Sequence, residues 1–277
     1  MPDHIAGKSV IITGAGSGFG RLTAEKLAAQ GAKLTLADVN WATVEEAAAA
    51  IRASGGQAQA MAADVTSMDD MRSVAAAAVA AYGAIDVMVN NAGIMPLAFI
   101  ADHESALPAW ERCIDINFKG VMHGSIAVYD QMAAQGRGHI VNLSSIYGNR
   151  PTAGAAVYGA TKAAVDYFSH ALRQEARGKI KVTVIKPTGI MATGLMGTVV
   201  NPAAGAGLIG HNVATFYEDF AKLQSGEPGD LADPEAVGCA FLTPDHIADA
   251  IVHVVNQPWG VSISDITVRA TGEHYIA

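Results

Sequence analysis

Seven short apolar runs, separated by stretches of helical length, constrain this 277-residue chain more than any other feature. The runs are KSVIIT (8–13), KLTLAD (33–38), AQAMAAD (58–64), IDVMVN (85–90), HIVNLS (139–144), KVTVIK (181–186) and DITVRA (265–270). Between most of them, residues 18–30, 41–53, 67–82, 108–135 and 155–177 carry helical periodicity. A further helix is expected to start at Thr243-Pro244, a capping residue followed by a proline suited to the first helical position. Strands that are apolar almost throughout must be covered on both faces, which is the condition of a parallel sheet with helices on each side. Right-handed crossovers then give an α/β, doubly wound, seven-stranded parallel sheet. The pattern runs through residues 1–277 as one domain, with a Gly- and Pro-rich insertion or lid at about 188–232.

Composition excludes several function classes. A net charge of −8 and the lack of a Lys/Arg cluster argue against a nucleic-acid partner. The run at 74–89 is mostly alanine and is broken by Gly83 and Asp86, too weak for a membrane span. The N-terminus lacks the basic and apolar regions of a signal peptide, so a soluble, cytoplasmic protein is expected. Cys113 and Cys239 stand far apart, outside any Cys-x-x-Cys spacing, and read as buried free thiols. His246 and His253 are seven apart on one expected helix, but no Glu or Cys completes a metal site, and no metal is expected.

The first strand runs directly into TGAGSGFG (13–20) and then a helical segment. A strand, a glycine-rich turn and a helix N-terminus form the place where backbone N–H groups and the helix dipole hold a pyrophosphate. The spacing is T-G-x-x-x-G-x-G, through Thr13, Gly14, Gly18 and Gly20. The second strand ends at Asp38, whose carboxylate can accept hydrogen bonds from an adenosine ribose and repels a 2′-phosphate. Arg21 is the only nearby cation, so NAD(H) is favoured over its phosphorylated counterpart. As a residue alone, Asp38 also reads as a solvated turn aspartate. Likewise Tyr158 and Lys162 in VYGATKAAV, one helical turn apart, read either as a working pair or as a half-exposed phenol beside a solvated ammonium.

Taken in order, these motifs resemble the short-chain dehydrogenase/reductase family over about residues 6–195 plus the last strand. Besides TGAGSGFG, the chain has NNAG (90–93), DINFKG with Asn117, VNLSSIYG with Ser145, and YGATK with Tyr158 and Lys162. Ser145 precedes Tyr158 by 13 residues, as the family pattern requires, and Ser17 stands where the family's extended branch has glycine. The resemblance implies a Rossmann-type fold and an NAD(H)-dependent oxidoreductase interconverting a secondary alcohol and a ketone. Tyr158 would be the general acid/base, its phenol (ordinarily near pKa 10) made acidic by the Lys162 ammonium and the cofactor's positive ring. Lys162 would also hold the nicotinamide ribose, Ser145 the substrate oxygen, and Asn117 a water linking Lys162 to solvent.

The same resemblance implies cofactor contacts from Gly14, Ser17, Gly18, Phe19, Gly20 and Asp38, from Asp64 and Val65 near the adenine, and from Asn91, Ala92 and Gly93. Asp64 alternatively caps the helix that starts near Ser67. One segment departs from the pattern: KPTGIMATGL (186–195) has Thr188 where glycine is expected and Thr193 about one residue late. Pro187, Ile190 and Thr193 are carried over as cofactor contacts on that basis.

The expected substrate loops are 94–100, 146–157 and 194–232, the last rich in Leu, Ile, Phe and Tyr with Lys222 its only Lys or Arg. A hydrophobic ring, steroid-like or aromatic alcohol or ketone fits such a lining; packing of the lid onto the core explains the same residues. Two further functions are weighed. One is a non-catalytic NAD(H)-binding sensor or scaffold. The other is a 3-oxoacyl-carrier-protein-type reductase, which neither Asp38 nor the acidic charge suits. The helices at 108–135 and 155–177 are expected to form homodimer or homotetramer contacts.

Overall fold

The computed structural model describes residues 3–190 and 194–276. Strands β1 (Ser9–Thr13), β2 (Lys33–Asp38), β3 (Gln57–Ala62), β4 (Val87–Asn90), β5 (Gly138–Leu143), β6 (Ile180–Pro187) and β7 (Asp265–Val268) form one parallel sheet of order β3-β2-β1-β4-β5-β6-β7. The long helices are α1 (Gly18–Ala29), α2 (Trp41–Ala53), α3 (Met68–Tyr82), α4 (His103–Ile114), α5 (Gly120–Gln135) and α6 (Ala156–Glu175). After β6 come a short α7 (Ala206–Ile209), α8 (Val213–Gln224) and α9 (Pro244–Val255). The seven strands and the helices on both faces match the doubly wound expectation.

Side-chain alternation sorts the core into two halves. Val10, Ile12, Leu34, Leu36, Val87 and Val89 point to one face, where Leu27, Val44, Ile51, Ile247 and Ile251 of α1, α2 and α9 cover them. Ile11, Ala37, Met88, Ile140 and Val182 point to the other face, under Met71, Val74, Val128, Met132 and Leu172 of α3, α5 and α6. Each fully buried Ile, Leu, Val or Met contributes about 1.5–3 kcal/mol. The central strands β1, β4 and β5 are buried throughout, while the edge strands β3 and β7 are only partly buried.

One expected boundary moves. The helix read as 108–135 begins at His103, with Pro108 inside it. Ala106, Trp110 and Cys113 share its buried face at spacings of four and three, and that stripe carries the helix through the proline. The segment is also not one regular helix, because Asp115–Lys119 form a π-helical turn between α4 and α5.

The sheet order reverses between β1 and β4, which opens a crevice at the carboxyl ends of these strands. Its floor is stitched from both sides. Thr13 Oγ1 accepts the Asn91 and Ala92 N–H groups (3.1 and 3.2 Å), and Asn91 Nδ2 donates to the Thr13 and Gly14 carbonyls (2.9 and 3.1 Å).

Candidate active site

A single cavity of about 1050 Å³ occupies this crevice and runs from the glycine turn to Tyr158 and the 194–232 segment. That volume sits at the top of the ~300–1,000 Å³ range of small-ligand sites, as a site for two ligands side by side requires. At one end Gly14 and Gly18 take positive φ (64° and 52°), and the chain turns straight from β1 into α1. A Cβ on Gly20 would overlap the Gly14 carbonyl oxygen, so only glycine lets helix and strand approach this closely. Ser17 is the N-cap of α1, yet its side chain bonds none of the first-turn N–H groups. The N–H groups of Gly18, Phe19 and Gly20 are therefore left to an anion at the helix N-terminus. The Phe19 ring itself packs into the core, so its contribution to the turn is backbone.

Asp38, at the end of β2, lines the same cavity; its two carboxylate oxygens accept from Gly16 N–H (3.0 Å) and Asn40 N–H (2.9 Å). Arg21 is committed elsewhere, to Glu25 (3.1 Å) and Glu46 (2.9 Å). Asp64 is exposed on the cavity edge and accepts the Thr66 N–H. The cap of α3 is Ser67, which accepts the Asp70 N–H at 3.2 Å, so the capping reading of Asp64 is replaced. Val65 is buried between the cavity and Gly120. Asn91, Ala92 and Gly93 form the cavity floor after β4, and Pro187 and Ile190 line its far wall after β6, Ile190 in a parallel bridge with Leu242. Thr193 lies outside the described residues.

At the other end, α6 presents Tyr158 and Lys162, both nearly fully buried, to the cavity. The Lys162 ammonium lies 5.8 Å from the Tyr158 ring centre and donates to the Leu143 carbonyl at 2.8 Å. Ser145, just beyond β5, caps the turn at Ile146–Gly148 by accepting the Tyr147 N–H, and its hydroxyl also meets the Tyr158 phenol. Burial pushes the phenol above its ordinary value; the Ser145 hydrogen bond opposes this only in part. Burial likewise pulls the Lys162 ammonium down to about 8. The expectation that the ammonium makes the phenol acidic is thus not met by the protein alone, because desolvation dominates both groups.

Asn117 sits in the π-helical turn, fully buried. Its side chain accepts the Ile94 N–H (2.9 Å) and donates to the Ile94 carbonyl (2.8 Å). Its amide is therefore occupied in fixing the strand-end loop beside Gly93. A Cβ on Gly93 would stand 3.3 Å from Asn117 Oδ1 and 3.7 Å from Lys162 Nζ, which measures how closely the three converge.

The apolar residues of 194–232 divide between the two expected uses. Leu195, Leu208, Phe216, Tyr217 and Phe220 line the cavity, while Phe216 and Phe220 also stack on each other and pack against Phe241. Val199 packs into the cluster around Tyr158. Lys222 is turned to Asp219 at 2.8 Å. Arg112, Glu111 and Asp115 of α4 and the turn after it add charge to the lining, a feature the loop reading missed because these residues sit on a helix. Two tyrosines were also missed. Tyr147 packs edge-on against Tyr158, with ring centres 5.4 Å apart, and Tyr275 enters from the C-terminal tail. Tyr147 lay in a recognised loop, but no local signal marks Tyr275.

A glycine cradle, unsatisfied helix N-terminal donors and a strand-end carboxylate fit a nicotinamide dinucleotide, and the buried Tyr–Lys pair lies in the same cavity. The family model for short chain dehydrogenases matches residues 8–204. The chain belongs to the short-chain dehydrogenase/reductase family. An uncharacterized oxidoreductase of Listeria monocytogenes is 34% identical over 275 residues, covering 97% of this chain and 98% of its own length. One from Staphylococcus epidermidis is 32% identical over 263 residues, covering 95% and 96%.

Among solved structures, a 7α-hydroxysteroid dehydrogenase complexed with NADH and 7-oxo glycochenodeoxycholic acid superposes with a TM-score of 0.79 at 25% identity, covering 99% of this chain and 97% of its own. A metagenomic short-chain oxidoreductase in complex with NADP gives 0.72 at 26% (96% and 98% covered). A Burkholderia phymatum member in complex with NAD gives 0.75 at 27% (96% and 90% covered). This short-chain dehydrogenase/reductase is therefore an oxidoreductase of a family whose members bind nicotinamide cofactors. Among its described residues, no helix is long and apolar enough to cross a membrane.

Proposed function

We propose that this protein is an NAD(H)-dependent oxidoreductase that interconverts a hydrophobic secondary alcohol and its ketone. The observation that carries the reading is the enclosure of Tyr158, Lys162 and Ser145 in one cavity with the glycine turn and Asp38. The bound cofactor supplies or accepts the hydride and, when oxidised, brings a positive charge to the site. Gly14, Ser17, Gly18, Phe19 and Gly20 would cradle its pyrophosphate, Asp38 its adenosine ribose, Asp64 and Val65 its adenine, and Asn91, Ala92, Gly93, Pro187 and Ile190 its remaining length. Tyr158 holds its proton in the free protein, the state needed to protonate a ketone oxygen; Ser145 steadies the same oxygen as charge develops. Lys162 would hold the nicotinamide ribose, and Asn117 would keep the loop beside it in place.

The preference for NAD(H) rests on Asp38 and on the pairing of Arg21 with two glutamates, which leaves no free cation beside the ribose site among the described residues. Asp38→Ala is expected to narrow the NAD⁺ over NADP⁺ preference in kcat/KM by about tenfold, the factor that ~1.4 kcal/mol of lost like-charge repulsion carries. An unchanged ratio would remove Asp38 from the ribose site. The apolar lining from Leu97, Leu208, Ile209 and Phe216 supports a ring-type substrate, as does the steroid dehydrogenase among the similar structures. A cofactor-coupled absorbance screen of alcohols and ketones with both nicotinamides tests the whole reading; activity confined to anionic substrates would count against it.

Self-association through α4, α5 and α6 belongs to the same proposal, since Leu107, Ile114, Ile126 and Tyr167 leave large apolar surfaces exposed on these helices. Sedimentation velocity is expected to give a homodimer or homotetramer; a monomer at micromolar concentration would refute this part alone.

A further inference from the structure

The chain after β7 folds back onto the lid. Ile276 N–H donates to the Leu208 carbonyl (3.0 Å), and Asn212 Nδ2 donates to the His274 carbonyl (2.9 Å). His274 Nε2 lies 3.0 Å from Asp219 Oδ2, and its ring packs edge-on against Phe216. These contacts pin the backbone on both sides of Tyr275, whose side chain enters the cavity and reaches Gly189. A Cβ on Gly189 would overlap the Tyr275 hydroxyl. The departure from the family pattern after Pro187 thus has a local physical reason: glycine comes one residue later, after Thr188, where its missing side chain admits this phenol.

Tyr147 enters the same cavity from the turn after β5, its ring nearly perpendicular to that of Tyr158. Among the described residues, neither the Tyr147 nor the Tyr275 hydroxyl has a protein hydrogen-bond partner, and both tyrosines are half-buried on the cavity wall. Burial pushes the ionisation of both phenols upward, and each is further raised by its surroundings: Tyr147 by Tyr275, and Tyr275 by Glu273, to about 12. Both therefore stay neutral near pH 7 and can donate or accept. They stand among apolar walls from Leu97, Leu208 and Ile209. A ligand that covers these hydroxyls without offering an oxygen strips them of water for nothing in return, so a ligand that bonds them gains over one that does not.

We propose that Tyr147 and Tyr275 are specificity-determining residues whose neutral hydroxyls hydrogen-bond a second, uncharged oxygen function on the ring alcohol or ketone that reacts at Tyr158. This rests on the reading of Tyr158 as the proton-transfer group. A carbonyl or hydroxyl satisfies the two phenols. A carboxylate there would have to draw on Arg112, an exposed residue of the same lining, because the Lys162 ammonium is committed to Leu143; an uncharged oxygen needs no cation.

The test uses the full-length protein with NADH and two matched pairs of ketones: 1-decalone against decalin-1,5-dione, and androstan-3-one against androstane-3,17-dione. Fluorescence titration with NADH reports folding of each variant. The wild type is expected to favour the dione of at least one pair by about tenfold in kcat/KM, mostly through KM. Tyr275→Phe and Tyr147→Phe, which keep the rings, are each expected to bring that ratio close to one. A wild type indifferent to the second oxygen, or unable to reduce any of the four, overturns the proposal. So do variants that leave the ratio unchanged or lower both members of a pair equally, the result of a purely structural role. Tyr158→Phe separates the two readings: turnover retained there refutes the proton-transfer role, whereas a dead Tyr158→Phe with unaltered ratios in the other two variants refutes only the second-oxygen contact.

Discussion

Tyr158→Phe is expected to lower kcat by about 10²–10⁴-fold, the contribution of a positioned proton-transfer group, while NADH still binds. The substitution removes one hydroxyl and leaves the ring in its cluster with Leu97, Cys113, Ala155 and Ala204, so the fold should survive it. The phenol is nearly fully buried, and burial holds it protonated in the free protein. Among the described residues its hydroxyl meets that of Ser145, and both side chains line the cavity in which a substrate oxygen would sit. Stopped-flow reduction with a ketone found in the screen, paired with NADH fluorescence titration, measures both quantities. Turnover within threefold of wild type would reject Tyr158 as the proton-transfer group.

Lys162→Met is expected to reduce kcat/KM by about 10²-fold or more and to weaken NADH binding, because Met retains the length of the side chain but no donor. The same variant makes a stability test with a definite sign. Lys162 sits near 8 in the folded protein against 10.5 when solvated, because burial disfavours its charge. Between about pH 8 and 10.5 the unfolded chain therefore binds more protons than the native one, and this residue's contribution to stability rises with pH. Below about pH 8 the cost of burying the ammonium is present in full, about 3 kcal/mol from the difference between those two values. Lys162→Met lacks that cost. Its melting temperature relative to wild type should be most favourable below pH 8, and the advantage should shrink toward pH 10.5. Lys181 is also lowered to about 8, but it is common to both proteins and cancels in the difference. A gap independent of pH would show that Lys162 is not buried as a charged group.

Much of the site was legible along the chain because the relevant spacing is local. Tyr158 and Lys162 are one helical turn apart, and TGAGSGFG states its own turn geometry. Other features were not legible, for separate reasons. The balance of burial against charge at Tyr158 depends on how many groups surround it, and spacing carries no measure of that. The occupation of the Asn117 amide by Ile94 depends on a loop 23 residues away. The helix start at His103 was hidden because Pro108 reads locally as a first-turn residue, whereas the Ala106, Trp110, Cys113 stripe overrides it. Tyr275 lies over 110 residues from Tyr158 in sequence and is brought in by a backbone contact of Ile276 to α7 and a side-chain contact of His274 to α8.

The residue order by itself determined the parallel sheet, the position of the glycine turn, the acidic end of β2 and the Tyr–Lys helix. Each follows from periodicity or from groups within a few residues of one another, where covalent connection fixes the geometry. Only the tertiary structure decided how strongly the phenol holds its proton, which side chains close the substrate end, and why glycine follows Thr188. Those outcomes depend on desolvation and steric exclusion between segments far apart in the chain, and such forces exist only once the segments have packed.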